Sequence, residues 1–210
     1  MKKLLLVTAL IFISVSALAQ KKIKEGVINT TQSFYINGKL IKKEFQIIYF
    51  DGLKSNIESY SSLSGHSNLI YDVEKKQMLT LLKTSIKDKK YHLNAITSSN
   101  RNSNSIKLTR GNKTKNILGF DCKEEIVKLK KNGIDLTITM FTTDKINFVV
   151  NNETIDLVNV VNGHPMYSEI VLKQDGVVSK IVTKTVMVKG QNVSKEKFSL
   201  KPPKGYTKMY

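Results

Sequence analysis

Val127-Lys128-Leu129-Lys130-Lys131-Asn132-Gly133-Ile134-Asp135-Leu136-Thr137-Ile138-Thr139-Met140 alternates apolar and polar side chains on both sides of an Asn-Gly pair. Successive side chains of a strand point to opposite faces, so each arm has one greasy side and one polar side. Asn-Gly accepts the positive φ that a two-residue hairpin turn demands. The segment predicts a β-hairpin within an antiparallel sheet that has one wet face.

The same pattern extends in both directions. Asn37-Gly38 separates the long apolar-rich runs 27–36 and 40–50. Asp175-Gly176 follows Ile170 and Leu172 and precedes Val178, Val182, Val186 and Val188, with Lys180 and Lys184 between them. A strand of that length predicts a bend or a bulge. Leu69, Tyr71 and Val73 meet residues 78–82 across Glu74-Lys75-Lys76, and 91–96 and 106–109 read as further strands. Residues 98–105 are wholly polar and read as an exposed loop. Helix signals are scarce. Residues 153–161 carry apolar side chains at 155, 158 and 161 ahead of Asn162-Gly163, which fits a short helix, while their Ile and Val content fits a strand equally well. No period of 20–50 residues repeats, and with only Pro165, Pro202 and Pro203 there is no proline-rich linker.

The N-terminus predicts a compartment. Lys2 and Lys3 precede an apolar run from Leu4 to Val15, and Ala17-Leu18-Ala19 has the small-x-small form of a cleavage site. This is the layout of a secretory signal peptide, residues 1–19. The run is short for ~30 Å of hydrocarbon, and no other stretch approaches spanning length, so the mature chain is expected to have no transmembrane segment. No cysteine stands at the cleavage site, which excludes a lipid anchor there. Residues 20–210 suit a single domain, and a periplasmic or secreted location is expected.

The full chain has a formal net charge of +17, from 34 basic and 17 acidic residues. Removing 1–19 takes away two lysines and no acid, leaving 32 basic residues and a net charge of +15. Export and the presence of only two arginines, Arg101 and Arg110, argue against a nucleic-acid partner, because phosphate and base readers favour the arginine fork. The charge fits lysines on solvated strand faces, or an anionic partner such as lipid head groups or envelope polysaccharide. Cys122 is the only cysteine, so an intrachain disulfide is impossible and a buried thiol is expected.

Chemistry-bearing motifs are weak. His66, His92 and His164 share no metal-ligand spacing, and no metal or cofactor is expected. Ser64-Gly65-His66-Ser67 falls short of a nucleophile elbow. Glu124 and Glu125 should point to opposite faces of a strand, which is wrong for shared acid–base work. No catalytic residue is assigned. Sequons at Asn29, Asn112, Asn152 and Asn192 are expected by chance in such a composition. Phe34, Tyr35, Phe45, Tyr49, Phe50, Tyr60, Tyr71 and Tyr91 crowd the first half, where they either fill a core or line a site for an apolar ligand.

Ile117-Leu118-Gly119-Phe120-Asp121-Cys122-Lys123, followed by Ile138-Thr139-Met140-Phe141-Thr142-Thr143-Asp144-Lys145-Ile146, resembles the corresponding region of GLPGLI-type exported bacterial envelope proteins and a related group of unknown function. The close, Phe198-Ser199-Leu200-Lys201-Pro202-Pro203-Lys204-Gly205-Tyr206, is similar to theirs. The Gly-Leu-Pro-Gly-Leu-Ile peptide itself is absent. The resemblance implies a lipoprotein-carrier-like half-barrel: a mainly β, antiparallel curled sheet or incomplete β-barrel with one or two short helices across its open side. It implies no reaction and no catalytic residue. The expected function is binding of an apolar or lipid ligand in the curled sheet, with a lipid, a lipoprotein or an anionic envelope component as partner. A structural or protein-interaction module of the envelope is the alternative.

Overall fold

A computed structural model of the chain describes residues 21–61, 65–85, 88–96, 106–131, 134–151, 154–157 and 160–209. The expected signal peptide, the polar stretch 98–105 and the Asn132-Gly133 turn lie outside them. The described strands run in chain order as β1 (Glu25–Ile36), β2 (Lys39–Asp51), β3 (Lys54–Ser61), β4 (Gly65–Asp72), β5 (Gln77–Lys83), β6 (Lys89–Ala95), β7 (Ile106–Ile117), β8 (Phe120–Lys131), β9 (Ile134–Thr143), β10 (His164–Gln174), β11 (Val177–Gly190) and β12 (Thr207–Lys208).

All twelve belong to one sheet, in the order β12-β6-β5-β4-β3-β2-β1-β11-β10-β9-β8-β7. Two meanders, β1 to β6 and β7 to β11, are joined where β1 pairs with β11. Every pairing between these strands is antiparallel except the two-residue contact of β12 with β6. Asn37 and Asp175 have φ of 49°, and Gly38 and Gly176 have φ of 80° and 75°, the paired positive values of a tight hairpin turn. β8 and β9 pair antiparallel as expected, up to Lys131 and Ile134 on either side of the undescribed Asn132-Gly133. The long strand β11 carries the expected bulge: Met187 pairs with Asn29 and Thr185 with Thr30, leaving Val186 over. The bulge moves Val188 to the face of Ile28, whereas Val182 stays on the face of Lys180 and Lys184.

One core cluster joins Tyr71 of β4 and Phe50 of β2 to Phe120 and Cys122 of β8, although β4 and β8 are far apart in strand order. The sheet is therefore curled and unclosed, an incomplete barrel. The crossing from β9 to β10 fills the curl: Ile146, Val149 and Val150 join the first cluster, and Leu157 and Val161 join a second one. No helix forms over 153–161 in the described residues. There is one 3-10 turn, Ile155–Leu157. Asn151 Oδ1 accepts the Thr154 N–H at 2.8 Å, a turn-type contact that competes with helix, and the β-branched residues beyond it add little helix propensity. Across the open side the described residues therefore hold this single 3-10 turn and no α-helix. A second 3-10 turn, Lys195–Phe198, lies on the outer face.

That outer face is covered by the C-terminal strap, residues 191–209. Asn56 Nδ2 donates to the Lys197 carbonyl at 2.8 Å, while its neighbour Ser55 donates to the Val150 carbonyl on the inner face. Leu200 and Tyr206 pack on Ile70, Leu79 and Leu81, and β12 then caps the edge of β6. Among the described residues no helix is long and apolar enough to cross a membrane.

Candidate functional site

Residues directly opposite each other in antiparallel strands share a face, so the registers define rows across the sheet. One inner row runs Phe34–Ile181–Ile170–Ile138–Val127–Leu108 through β1, β11, β10, β9, β8 and β7. Nearer the hairpin tips a second row links Leu172, Leu136, Leu129 and Ile106. Leu157 and Val161 cover the deeper part of this aliphatic wall, whereas Ile106, Leu108, Leu136, Leu172 and Ile181 are only partly buried. One row further in, the wall turns polar: Gln32 lies opposite Thr183, Thr183 opposite Ser168, and Glu125 opposite Met140. Across β1 the polar band continues through Thr30, Gln46, Ser59 and Ser67. The inner surface is thus amphipathic, aliphatic toward the hairpin tips and hydrogen-bonding deeper in.

At its outer end this wall meets an apolar rim. The Asn37 N–H donates to the Val178 carbonyl at 2.8 Å, and the Val178 N–H donates to Asn37 Oδ1 at 2.9 Å, which stitches two hairpin tips side by side. Ile36, Leu40, Ile41, Val177 and Val178 are all exposed there, Ile41 at 53%. Lys39, Lys43 and Lys173 are exposed among them. Deeper in, Lys42 pairs with Glu44 at 2.5 Å and stands 5.7 Å from the Phe34 ring.

The candidate chemistry read from sequence disperses. His66 stacks on Tyr60 with ring centroids 4.7 Å apart, His92 lies on β6, and His164 starts β10. Burial alone pushes His164 down to about 4, and neither ring nitrogen has a hydrogen-bond partner among the described residues. Among the described residues no cluster of His, Cys, Asp and Glu suited to a metal ion occurs. Glu124 and Glu125 do face opposite ways, toward Phe141 and Met140. Glu124 pairs with Lys113 at 3.3 Å, and burial raises the Glu125 carboxyl although the Asn162 N–H and Thr142 donate to it. Cys122 is fully buried in β8, its thiol pushed up to about 11 mainly by burial. The aromatics of the first half divide: Phe50 and Tyr71 fill the core, while Phe45 and Tyr60 are exposed. Ile181, which links β1 to the rest of the inner row, escaped the sequence reading because the partner strand that gives it meaning lies some 150 residues away, as the Phe34–Ile181 pairing shows.

The chain matches no protein-family profile and no curated protein sequence. Among solved structures it resembles PNGF-II with a TM-score of 0.51 at 13% identity, over 88% of this chain and 31% of that one. It spans about a third of PNGF-II, and the likeness is one of fold alone. The Mycobacterium tuberculosis lipoprotein LppX overlaps with a TM-score of 0.39 at 9% identity, over 80% of this chain and 90% of that one. A LolA superfamily protein from Nitrosomonas europaea gives 0.40 at 7% identity, over 87% and 91%.

Proposed function

We propose that the chain is an exported binding module of the bacterial envelope that takes the apolar part of an amphiphile, such as an acyl chain, against the inner wall of its curled sheet. The observation that carries this reading is the continuity of a half-covered aliphatic wall with an exposed apolar rim. Ile181 and Leu172 belong to the wall, and Ile36, Leu40, Ile41, Val177 and Val178 form the rim. Exposed contiguous apolar surface bordered by polar groups marks binding sites more often than it occurs idly. The lysines of the rim complement anionic head groups, and each lysine near such a surface contributes about 1 kcal/mol. The layout of residues 1–19 and the resemblance to envelope proteins support the location.

Native mass spectrometry of the chain with palmitate and with phosphatidylglycerol tests the reading. A one-to-one adduct is expected, weakened in a Leu172→Gln/Ile181→Gln variant that keeps the parent's circular dichroism. A clean unliganded mass at high ligand excess overturns it. The second reading, a protein-interaction module, draws on β7, which ends the strand order. Edge strands offer unpaired N–H and C=O groups to a partner strand. Co-purification of one envelope protein, abolished by a proline in β7 and accompanied by no lipid, favours it over the first.

A further inference from the structure

A cleft of about 560 Å³ opens on the outer face, at the end of the strands opposite the apolar rim. Lys54 and Asp51 border it from β3 and β2, Asp72 and Lys75 from the end of β4 and the turn beyond, and Lys195, Phe198 and Lys201 from the C-terminal strap. Its charges are unevenly committed. Asp72 is buried, accepts the Lys75 N–H at 3.1 Å and pairs with the Lys75 ammonium at 3.5 Å, so it is spent on the turn. Lys54 has only a 3.8 Å contact to the exposed Glu74. Lys195 and Lys201 have no ion-pair partner among the described residues. Three lysines from two separate chain segments thus face one concavity in which, among the described residues, Asp51 is the one carboxylate without an ion-pair partner. With four lysines against two aspartates the lining is net positive, and a concave, net positive site focuses the field of a chain that is itself strongly basic.

We propose that this cleft binds a phosphate-bearing, water-soluble group, of the kind carried by a phosphorylated sugar. Where no arginine fork is present, lysine ammonium groups bind phosphate as point charges with rotatable donors, and three of them around one concavity suit a compact, oxygen-rich anion. The strap holds two of the three lysines, so the ligand bridges strap and sheet. The site is independent of the inner apolar wall.

Inorganic pyrophosphate, glucose 1,6-bisphosphate and phosphatidylglycerol vesicles serve as probes for amide chemical-shift titration of the full chain. Pyrophosphate and the sugar bisphosphate are expected to shift the amides of Lys54, Lys195, Ser199 and Lys201. The Lys54→Ala/Lys195→Ala/Lys201→Ala variant is expected to bind at least about tenfold more weakly, and a charge-matched Lys107→Ala/Lys115→Ala/Lys128→Ala control to bind as the parent does. Equal loss in both variants, shifts scattered over the surface, or a response to vesicles alone overturns the proposal.

Discussion

His164 is a neutral imidazole held in the folded chain, with no hydrogen-bond partner for either nitrogen among the described residues. Burial lowers it from 6.5 to about 4. Between those values the unfolded chain takes up a proton that the folded chain refuses, so stability falls as pH drops through that window. The loss by pH 4.5 is roughly 2–3 kcal/mol. Urea midpoints at pH 7 and 4.5 check it: the decline is expected to be smaller by that amount in His164→Leu, and equal declines contradict it. Glu125, whose carboxyl is raised, acts in the opposite sense in both proteins and cancels from the comparison. Cys122 is buried and its thiol is pushed up to about 11. Thiolate is the reactive form, so a disulfide-exchange reagent at pH 8 is expected to leave it unmodified until urea unfolds the chain. Prompt labelling of the native protein goes against this placement. The fate of Cys122 was legible from one apolar thiol in an alternating stretch. That of His164 was not, because nothing local tells a turn histidine from one roofed by distant chain.

Hairpins were the legible elements. Asn37-Gly38 and Asp175-Gly176 announce themselves because few residues tolerate two successive positive φ values. β3 did not. Both of its faces are covered, and Ser55 and Asn56 are buried because the covering segments supply acceptors: Ser55 donates to the Val150 carbonyl and Asn56 to the Lys197 carbonyl. Polar residues satisfied in this way erase the alternation that reveals a strand. The C-terminal strap was equally hidden, since its hold is tertiary. Lys197 pairs with Glu58 at 2.7 Å and lies 4.0 Å from the Tyr49 ring centroid, and Phe198 is buried beside it. Phe198→Ala is expected to cost about 3 kcal/mol in urea unfolding. Hydrogen exchange at the Met209 N–H, bonded to the Tyr91 carbonyl at 2.8 Å, should quicken in that variant, and unchanged exchange would mean that β12 holds independently of the Phe198 anchor. Gly163 has φ of +87°, and a Cβ there meets the Thr143 carbonyl oxygen at 2.1 Å. Gly163→Ala is expected to destabilise by more than about 2 kcal/mol, whereas Gly38→Ala, with open space around it, loses only the cost of its turn conformation.

For the whole molecule, the sheet is joined where β1 meets β11, and that contact gives the inner face its meaning. Period-two alternation identified the apolar residues of each strand, yet the row from Phe34 to Leu108 exists only because strands from both halves of the chain lie side by side. Vesicle binding belongs to this scale. Sedimentation with phosphatidylglycerol vesicles is expected to fall when Ile36, Leu40 and Ile41 are replaced together by serine, and to fall with added salt through the lysines of the same rim. Binding that is indifferent to both changes contradicts a membrane-facing rim. The central claim, that the half-covered inner wall receives an apolar chain, is tested most directly by isotope-filtered NMR of the protein with ¹³C-labelled palmitate. Cross-relaxation from acyl protons to the methyl groups of Leu136, Leu172 and Ile181 is the predicted result, and contacts confined to the outer surface, or none, would contradict it.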